Sequence, residues 1–391
     1  MSRIKIFNGK IITPFDTIDR GTILIENGKI TAVESGDIEV SDYLPIDADS
    51  HYVTPGFIDL HTHGGNNHDF MDCSVEGFLS AAKMHAQHGT TLMYPTTLAG
   101  DNSELFSFLD IYDTADRLNT EGSKFGGVHL EGPYFSYNHR GAQDPAYLRD
   151  PDPKEYNMIL ERSDKITRWS IAPELPGAFE FAKTILKKGI LPSIAHTDAI
   201  YEEILAAFDA GFTHITHFYS CMNGITRRNA FRYAGCIEAG YLIDAMTVEI
   251  IADGIHVPKP LLQLIYKLKG AENIALVTDS MRGAGMPDGK SILGSIKNGQ
   301  MVIIEDGVAK LPDRSAFAGS IATTDLLVKN MINIAGIPIN ETIRMAASTP
   351  ARIAGVGHKK GRIAPGYDAD IVIFDNNIEI KKTIIEGKII K

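Results

Sequence analysis

Eight short apolar runs recur along the middle of this chain, at 56–60, 90–94, 126–130, 168–172, 191–195, 214–218, 246–252 and 274–278. Helical patterns lie between most of them, at 75–88, 102–118, 177–189, 201–210, 259–269 and 322–334. Ala178-Phe179-Glu180-Phe181-Ala182-Lys183-Thr184-Ile185-Leu186 has apolar residues three and four apart, the spacing of an amphipathic helix. Strands alternating with helices predict an α/β chain with a parallel sheet, and eight of them predict closure as a (β/α)8 TIM barrel. The competing arrangement is an open doubly wound sheet, which gathers its functional groups at one switch point. Here functional-looking residues end nearly every run, and a ring of strands brings such ends together.

The two ends of the chain read differently. Residues 1 to about 53 form short strands with tight turns, among them a hairpin at Asn27-Gly28. The last 35 residues look alike, with a strand over Asp370-Ile371-Val372-Ile373-Phe374-Asp375 and a turn at Glu386-Gly387-Lys388. The expected organisation is a small β-sandwich domain from 1–53 plus 357–391, and a barrel over 54–356. Within the barrel, 286–318 breaks the pattern. Asp306-Gly307 marks a hairpin there, so a β excursion is expected.

With 391 residues and 44% apolar content, such a core can be buried. The formal net charge of -11, without a lysine- or arginine-rich block, argues against nucleic-acid binding. Three cysteines, Cys73, Cys221 and Cys236, lack both disulfide and zinc-knot spacing. The N-terminus has no apolar h-region and no run of 18 apolar residues occurs, so a cytoplasmic protein without membrane partners is expected.

The run ends carry the chemistry. Asp59-Leu60-His61-Thr62-His63-Gly64-Gly65 places two histidines two apart, on one side of a strand. Val128-His129-Leu130-Glu131-Gly132-Pro133 puts a carboxylate at a strand tip, and His196 and His217 end two further runs. Each alone is a weak signal. Together, imidazoles and a carboxylate at the same end of separate strands suit zinc or iron with an open position for water. Asp279 ends the eighth run, where a carboxylate can take a proton from activated water and pass it to a leaving nitrogen. His129 is read as orienting a ligand and His214 as structural, while His68, His85, His88, His139 and His358 are read as surface residues.

Pro55-Gly56-Phe57-Ile58-Asp59-Leu60-His61-Thr62-His63 and the closing stretch Gly361 to Asp370 resemble the amidohydrolase superfamily. Within it the chain is similar to the N-acetylglucosamine-6-phosphate deacetylases, through HLEGPYFSYNHRGAQ (129–143), AHTDA (195–199), THFYSCM (216–222), ADGIHV (252–257), VTDSM (277–281) and FAGS (317–320). The resemblance implies Glu131, His196 and His217 as main metal ligands and Asp279 as catalytic acid and base. It implies His61 and His63 as a second metal position that only some members keep, hence one or two divalent ions. Ala142 and Gln143 match a segment near the substrate amide, and Phe317, Ala318 and Gly319 a further lining segment. His256 and Arg228 match positions that hold the sugar phosphate, Arg228 from across a homodimer interface; Arg227 is the alternative to Arg228.

Three departures fall in the substrate region. Ser220-Cys221 replaces an asparagine-alanine pair, Arg228-Asn229-Ala230-Phe231 an arginine-glutamate-proline-glycine run, and Gly283-Ala284 a double alanine. The expected activity is deacetylation of N-acetyl-D-glucosamine 6-phosphate. The alternatives are its galacto epimer or another phosphorylated N-acetyl sugar, and an inactive barrel serving as a binding or structural oligomer.

Overall fold

The computed structural model describes residues 3–13 and 16–391. Met1, Ser2, Pro14 and Phe15, part of the expected small domain, lie outside the described residues.

Eight strands run through the middle of the chain: β1 Phe57–Thr62, β2 Thr90–Pro95, β3 Val128–Glu131, β4 Ile166–Ile171, β5 Leu191–Ile194, β6 His214–Ile215, β7 Thr247–Ile250 and β8 Ile274–Leu276. Nearly every residue in them is buried, as expected of parallel strands covered on both faces. β1 pairs with β2, and β3 through β8 pair in sequence, all in parallel. Beyond these ladders, Thr96 bridges His129 and Thr62 bridges Ser280, both in parallel. The N–H of Asp279 donates to the His61 carbonyl at 2.8 Å, and that of His63 to the Ser280 carbonyl at 2.8 Å. The parallel sheet therefore curls, and the chain has a TIM-barrel-type domain beside a small domain.

Helices cover this sheet close to the expected ranges, and their starts follow capping chemistry. Ser74 accepts from the Gly77 N–H at the start of Val75–Gln87, and Asp101 from the Glu104 N–H at the start of Asn102–Leu118. Pro153–Arg162 and Cys236–Leu242 are helices the sequence reading did not anticipate. In the first, only Tyr156, Ile159 and Leu160 are buried, a stripe too narrow to stand out among its charges. Among the described residues, no helix is long and apolar enough to cross a membrane.

The chain ends share one hydrogen-bonded sheet. Arg3–Ile12 pairs with Thr17–Glu26, Leu44–Asp47 and Tyr52–Pro55, and the last of these pairs with Ile371–Phe374. Tyr52–Pro55 stays in this sheet along its length, so the change of sheet falls after Pro55, two residues beyond the expected 53. Isoleucines from both ends, including Ile6, Ile23, Ile25, Ile371 and Ile384, form one apolar cluster. The β excursion also appears, as Gly289–Leu293, Gln300–Glu305 and Val308–Lys310.

Two tight turns lock the chain ends together. Asn27-Gly28 and Glu386-Gly387 both have positive φ, at 50° and 79°, and 48° and 74°. The turns sit back to back, and a Cβ on Gly28 would lie 2.7 Å from the Glu386 carbonyl oxygen. Gly28→Ala combines backbone strain with that overlap, so it should cost about 1–3 kcal/mol in equilibrium chemical denaturation. Wild-type stability in that variant would contradict the close approach.

Candidate metal centre

His61 sits on β1, with His63 just beyond it; Glu131 ends β3; His196, His217 and Asp279 follow β5, β6 and β8. The strands turn away at these points. His196, His217 and Asp279 have φ of 46°, 29° and 48°, left-handed values that cost a non-glycine residue energy and cluster at functional sites. All six side chains are buried, with Asp279 the most accessible at 8%.

The six groups form two triplets, His61–His63–Asp279 and Glu131–His196–His217, each with donor atoms within 4.8 Å of one another. Glu131 joins them. Its Oε1 lies 3.0 Å from His217 Nε2, 3.5 Å from His196 Nε2 and 3.6 Å from His61 Nε2, and its Oε2 lies 3.5 Å from His63 Nε2. Asp279 Oδ1 is 3.1 Å from His63 Nε2 and 3.4 Å from His61 Nε2.

The chemistry of this set fits a divalent cation. His196 donates Nδ1–H to the His139 carbonyl at 2.8 Å, and His61 donates Nδ1–H to Glu249 Oε2 at 3.3 Å. In the neutral ring each Nε2 is then a bare lone pair, and both point at carboxylate oxygens. Acceptors facing acceptors in a buried space call for positive charge between them. The ionisation preferences agree. Burial holds His61 down to about 3, a neutral ligand form. Burial acts the same way on His63, but Asp279 and Glu131 outweigh it and draw that imidazole up to about 9. Burial raises the Glu131 and Asp279 carboxyls, yet the surrounding histidines hold both below the usual carboxylate range.

The centre opens into a cavity of about 290 Å³. Ala142, Gln143, Ser220, Cys221, His256, Phe317 and Gly319 all line it. Gln143 is tied to the centre: its Nε2 donates to Glu131 Oε2 at 2.8 Å, and its Oε1 accepts from the Ala99 N–H at 2.9 Å. His256 is fixed by Asp253, with Nδ1 2.6 Å from Oδ2, and its ring lies 4.6 Å from that of Phe317. Ala318 does not line the cavity and packs behind the wall with Met281 and Leu293. Arg228 is also away from it, on the exposed hairpin Thr226–Arg228/Phe231–Tyr233, with its guanidinium 5.5 Å from the Tyr233 ring centroid.

Several site residues escaped the sequence reading. Leu98 and Ala316 line the cavity from loops outside the quoted motifs, Leu293 from the end of the strand Gly289–Leu293, and Tyr219 from within THFYSCM, where it was passed over. His85 is no surface residue: it is fully buried, with Nε2 3.0 Å from the Gly64 carbonyl oxygen and 3.2 Å from Ser280 Oγ. Its place on the inner face of Val75–Gln87, between Ala81, Ala82 and Ala86, was the available signal. His139 is half-buried, with Nε2 3.0 Å from Asp198 Oδ1, and its carbonyl accepts from His196. His129 makes no hydrogen bond to a ligand. It donates from Nε2 to Ser170 Oγ at 2.7 Å, accepts from Arg168 at Nδ1 at 2.7 Å, and meets His61 only ring edge to face at 4.7 Å. His214 is structural as expected, buried with Nδ1 2.7 Å from Thr247 Oγ1.

Comparisons with known proteins place this arrangement. The model of the Amidohydrolase family matches residues 52–390. An N-acetylglucosamine-6-phosphate deacetylase of Lysinibacillus sphaericus is 32% identical, over 94% of this chain and 92% of its own length. An N-acetylgalactosamine-6-phosphate deacetylase of Escherichia coli O157:H7 is 30% identical, over 97% of each. Among solved structures, an N-acetyl-D-glucosamine-6-phosphate deacetylase mutant of Mycobacterium smegmatis, in complex with N-acetyl-D-glucosamine-6-phosphate, superposes with a TM-score of 0.91 at 28% identity, covering 100% of both chains. The extent of the family match and of these relatives leads to one conclusion: the chain belongs to the amidohydrolase family.

Proposed function

We propose that this chain hydrolyses the acetamide of N-acetyl-D-glucosamine 6-phosphate, releasing acetate and D-glucosamine 6-phosphate, as a step of amino-sugar catabolism. The observation that carries this reading is the meeting of both donor triplets around Glu131 on the wall of one cavity. The relatives' activities support the substrate class.

His61, His63, Glu131, His196 and His217 would hold one or two divalent ions, with zinc or iron matching the imidazole and carboxylate donors. A divalent ion supplies Lewis acidity toward the amide carbonyl and acidity to water. The chain's own residues do the rest. Asp279 Oδ1 takes a proton from the attacking water as the new carbon–oxygen bond forms. It then returns that proton to the amine nitrogen as the carbon–nitrogen bond breaks. Gln143 steadies the Glu131 carboxylate. Ala142, Leu98 and Leu293 would keep water from the acetyl end, while Ser220, Cys221, His256, Phe317 and Gly319 would shape the sugar end.

We read the curled sheet as a closed (β/α)8 barrel over about 54–356, and the small sheet as a sandwich-type domain from 1–53 plus 357–391, with the first boundary near Pro55. The hairpin supports a homodimer. Ile225 and Phe231 are 66% and 72% exposed beside Arg228, an apolar patch that a second copy would cover. Arg228 would then reach the partner's cavity and clamp the phosphate with its planar fork. Losing such a charged contact costs about 1.5–3 kcal/mol. Arg228→Ala should therefore raise KM for the phosphorylated sugar by about 10- to 150-fold, and Arg227→Ala should do much less. An equal KM increase for the unphosphorylated sugar would contradict the assignment. A sugar phosphate is charged and stays within the cell, which supports a cytoplasmic location.

A second reading is the galacto epimer. Ser220 and Cys221 line the cavity where they depart from the resemblance, and the Escherichia coli relative acts on that substrate by its name. Comparing kcat/KM for the two epimers decides; a clear galacto preference overturns the first reading.

A further inference from the structure

We propose that Glu249 is a positioning residue that couples the two candidate metal positions to each other. The inference rests on reading the six donors as a metal centre. Glu249 lies on β7 beneath that centre and is fully buried. Its Oε2 accepts from His61 Nδ1–H at 3.3 Å and from the backbone N–H of His217 at 3.2 Å. One oxygen thus holds one member of each triplet, the ring of His61 and the main chain of His217.

The other oxygen is clamped. Oε1 accepts from Arg168 Nη1 and lies 3.2 Å from His214 Nε2. Arg168 is itself fixed, donating from Nη2 to the Leu60 carbonyl at 2.6 Å and to His129 Nδ1 at 2.7 Å. Contacts from β1, β3, β4 and β6 therefore prevent the carboxylate from swinging. Rigid carboxylate partners set the tautomer and direction of ligating histidines. With Nδ1–H committed to Glu249, His61 offers Nε2 as a lone pair toward His63 and Asp279. A shift of Glu249 moves this ring and the His217 backbone together, so both metal positions change at once.

Glu249→Gln tests this. The amide cannot accept on both sides: its NH₂ group must face either Arg168 or the His61 and His217 donors. Zinc affinity, measured by competition with a chelator, should fall by about 10- to 100-fold. Phe108→Leu, a core change in a helix remote from the centre, should lower stability yet leave zinc affinity within about twofold. Wild-type zinc affinity in folded Glu249→Gln overturns the proposal. If that variant does not fold, the wild-type zinc-loaded protein decides through its histidine nitrogen-15 shifts. A protonated His61 Nδ1 supports the proposal, and an unprotonated one overturns it. A wild-type protein that binds no zinc or iron contradicts the metal reading itself, a separate outcome.

Discussion

Asp279→Asn should lower kcat by about 10²- to 10⁴-fold, the usual worth of a positioned acid and base. The substitution is a clean one. Asparagine tolerates the left-handed backbone at this position, where φ is 48°, better than other residues. Its carbonyl oxygen can still accept from His63, the 3.1 Å neighbour of the carboxylate. What it lacks is a site that takes up a proton and gives it back. Fold and KM should therefore change little while turnover collapses. A folded, metal-loaded variant with near wild-type kcat would remove Asp279 from the proton path.

Arg168→Met should destabilise the protein by about 3–5 kcal/mol, because it strands a buried carboxylate. Arg168 is 5% exposed, and its guanidinium holds Glu249, the Leu60 carbonyl and His129 at once. Methionine fills much of the volume but donates nothing, so Glu249 would keep its charge only at the desolvation cost of an unpaired ion. The midpoint of chemical denaturation checks this. A loss under about 1 kcal/mol would mean that water or relaxation reaches the site, as for an exposed ion pair.

The sequence made the barrel-type layer legible because parallel strands buried on both faces read as compact apolar runs. Asp279, Glu131 and the four clustered histidines, His61, His63, His196 and His217, were visible because each lies at or just beyond the end of such a run. Glu249 and Arg168 were not. Each sits inside an apolar strand, and their meaning lies in contacts between strands far apart in sequence. His85 shows the same limit on a helix: its burial depends on what Val75–Gln87 packs against, and polar identity misled. The cavity wall from Leu98 and Ala316 was likewise invisible, since loops converge by tertiary packing without local periodicity. Arg228 had the opposite fate. The resemblance singled it out, yet it stands on an exposed hairpin away from the cavity of its own chain.

The most direct test of the account is acetate release from N-acetyl-D-glucosamine 6-phosphate, measured before and after removal of metal by a chelator. The account predicts rapid release by the metal-loaded protein, loss of release on chelation, and recovery when zinc or iron is restored. It also predicts that the sugar without its phosphate is a far poorer substrate. A protein that carries no metal and releases no acetate from any phosphorylated N-acetyl sugar would contradict it, and would favour a barrel that binds without catalysing.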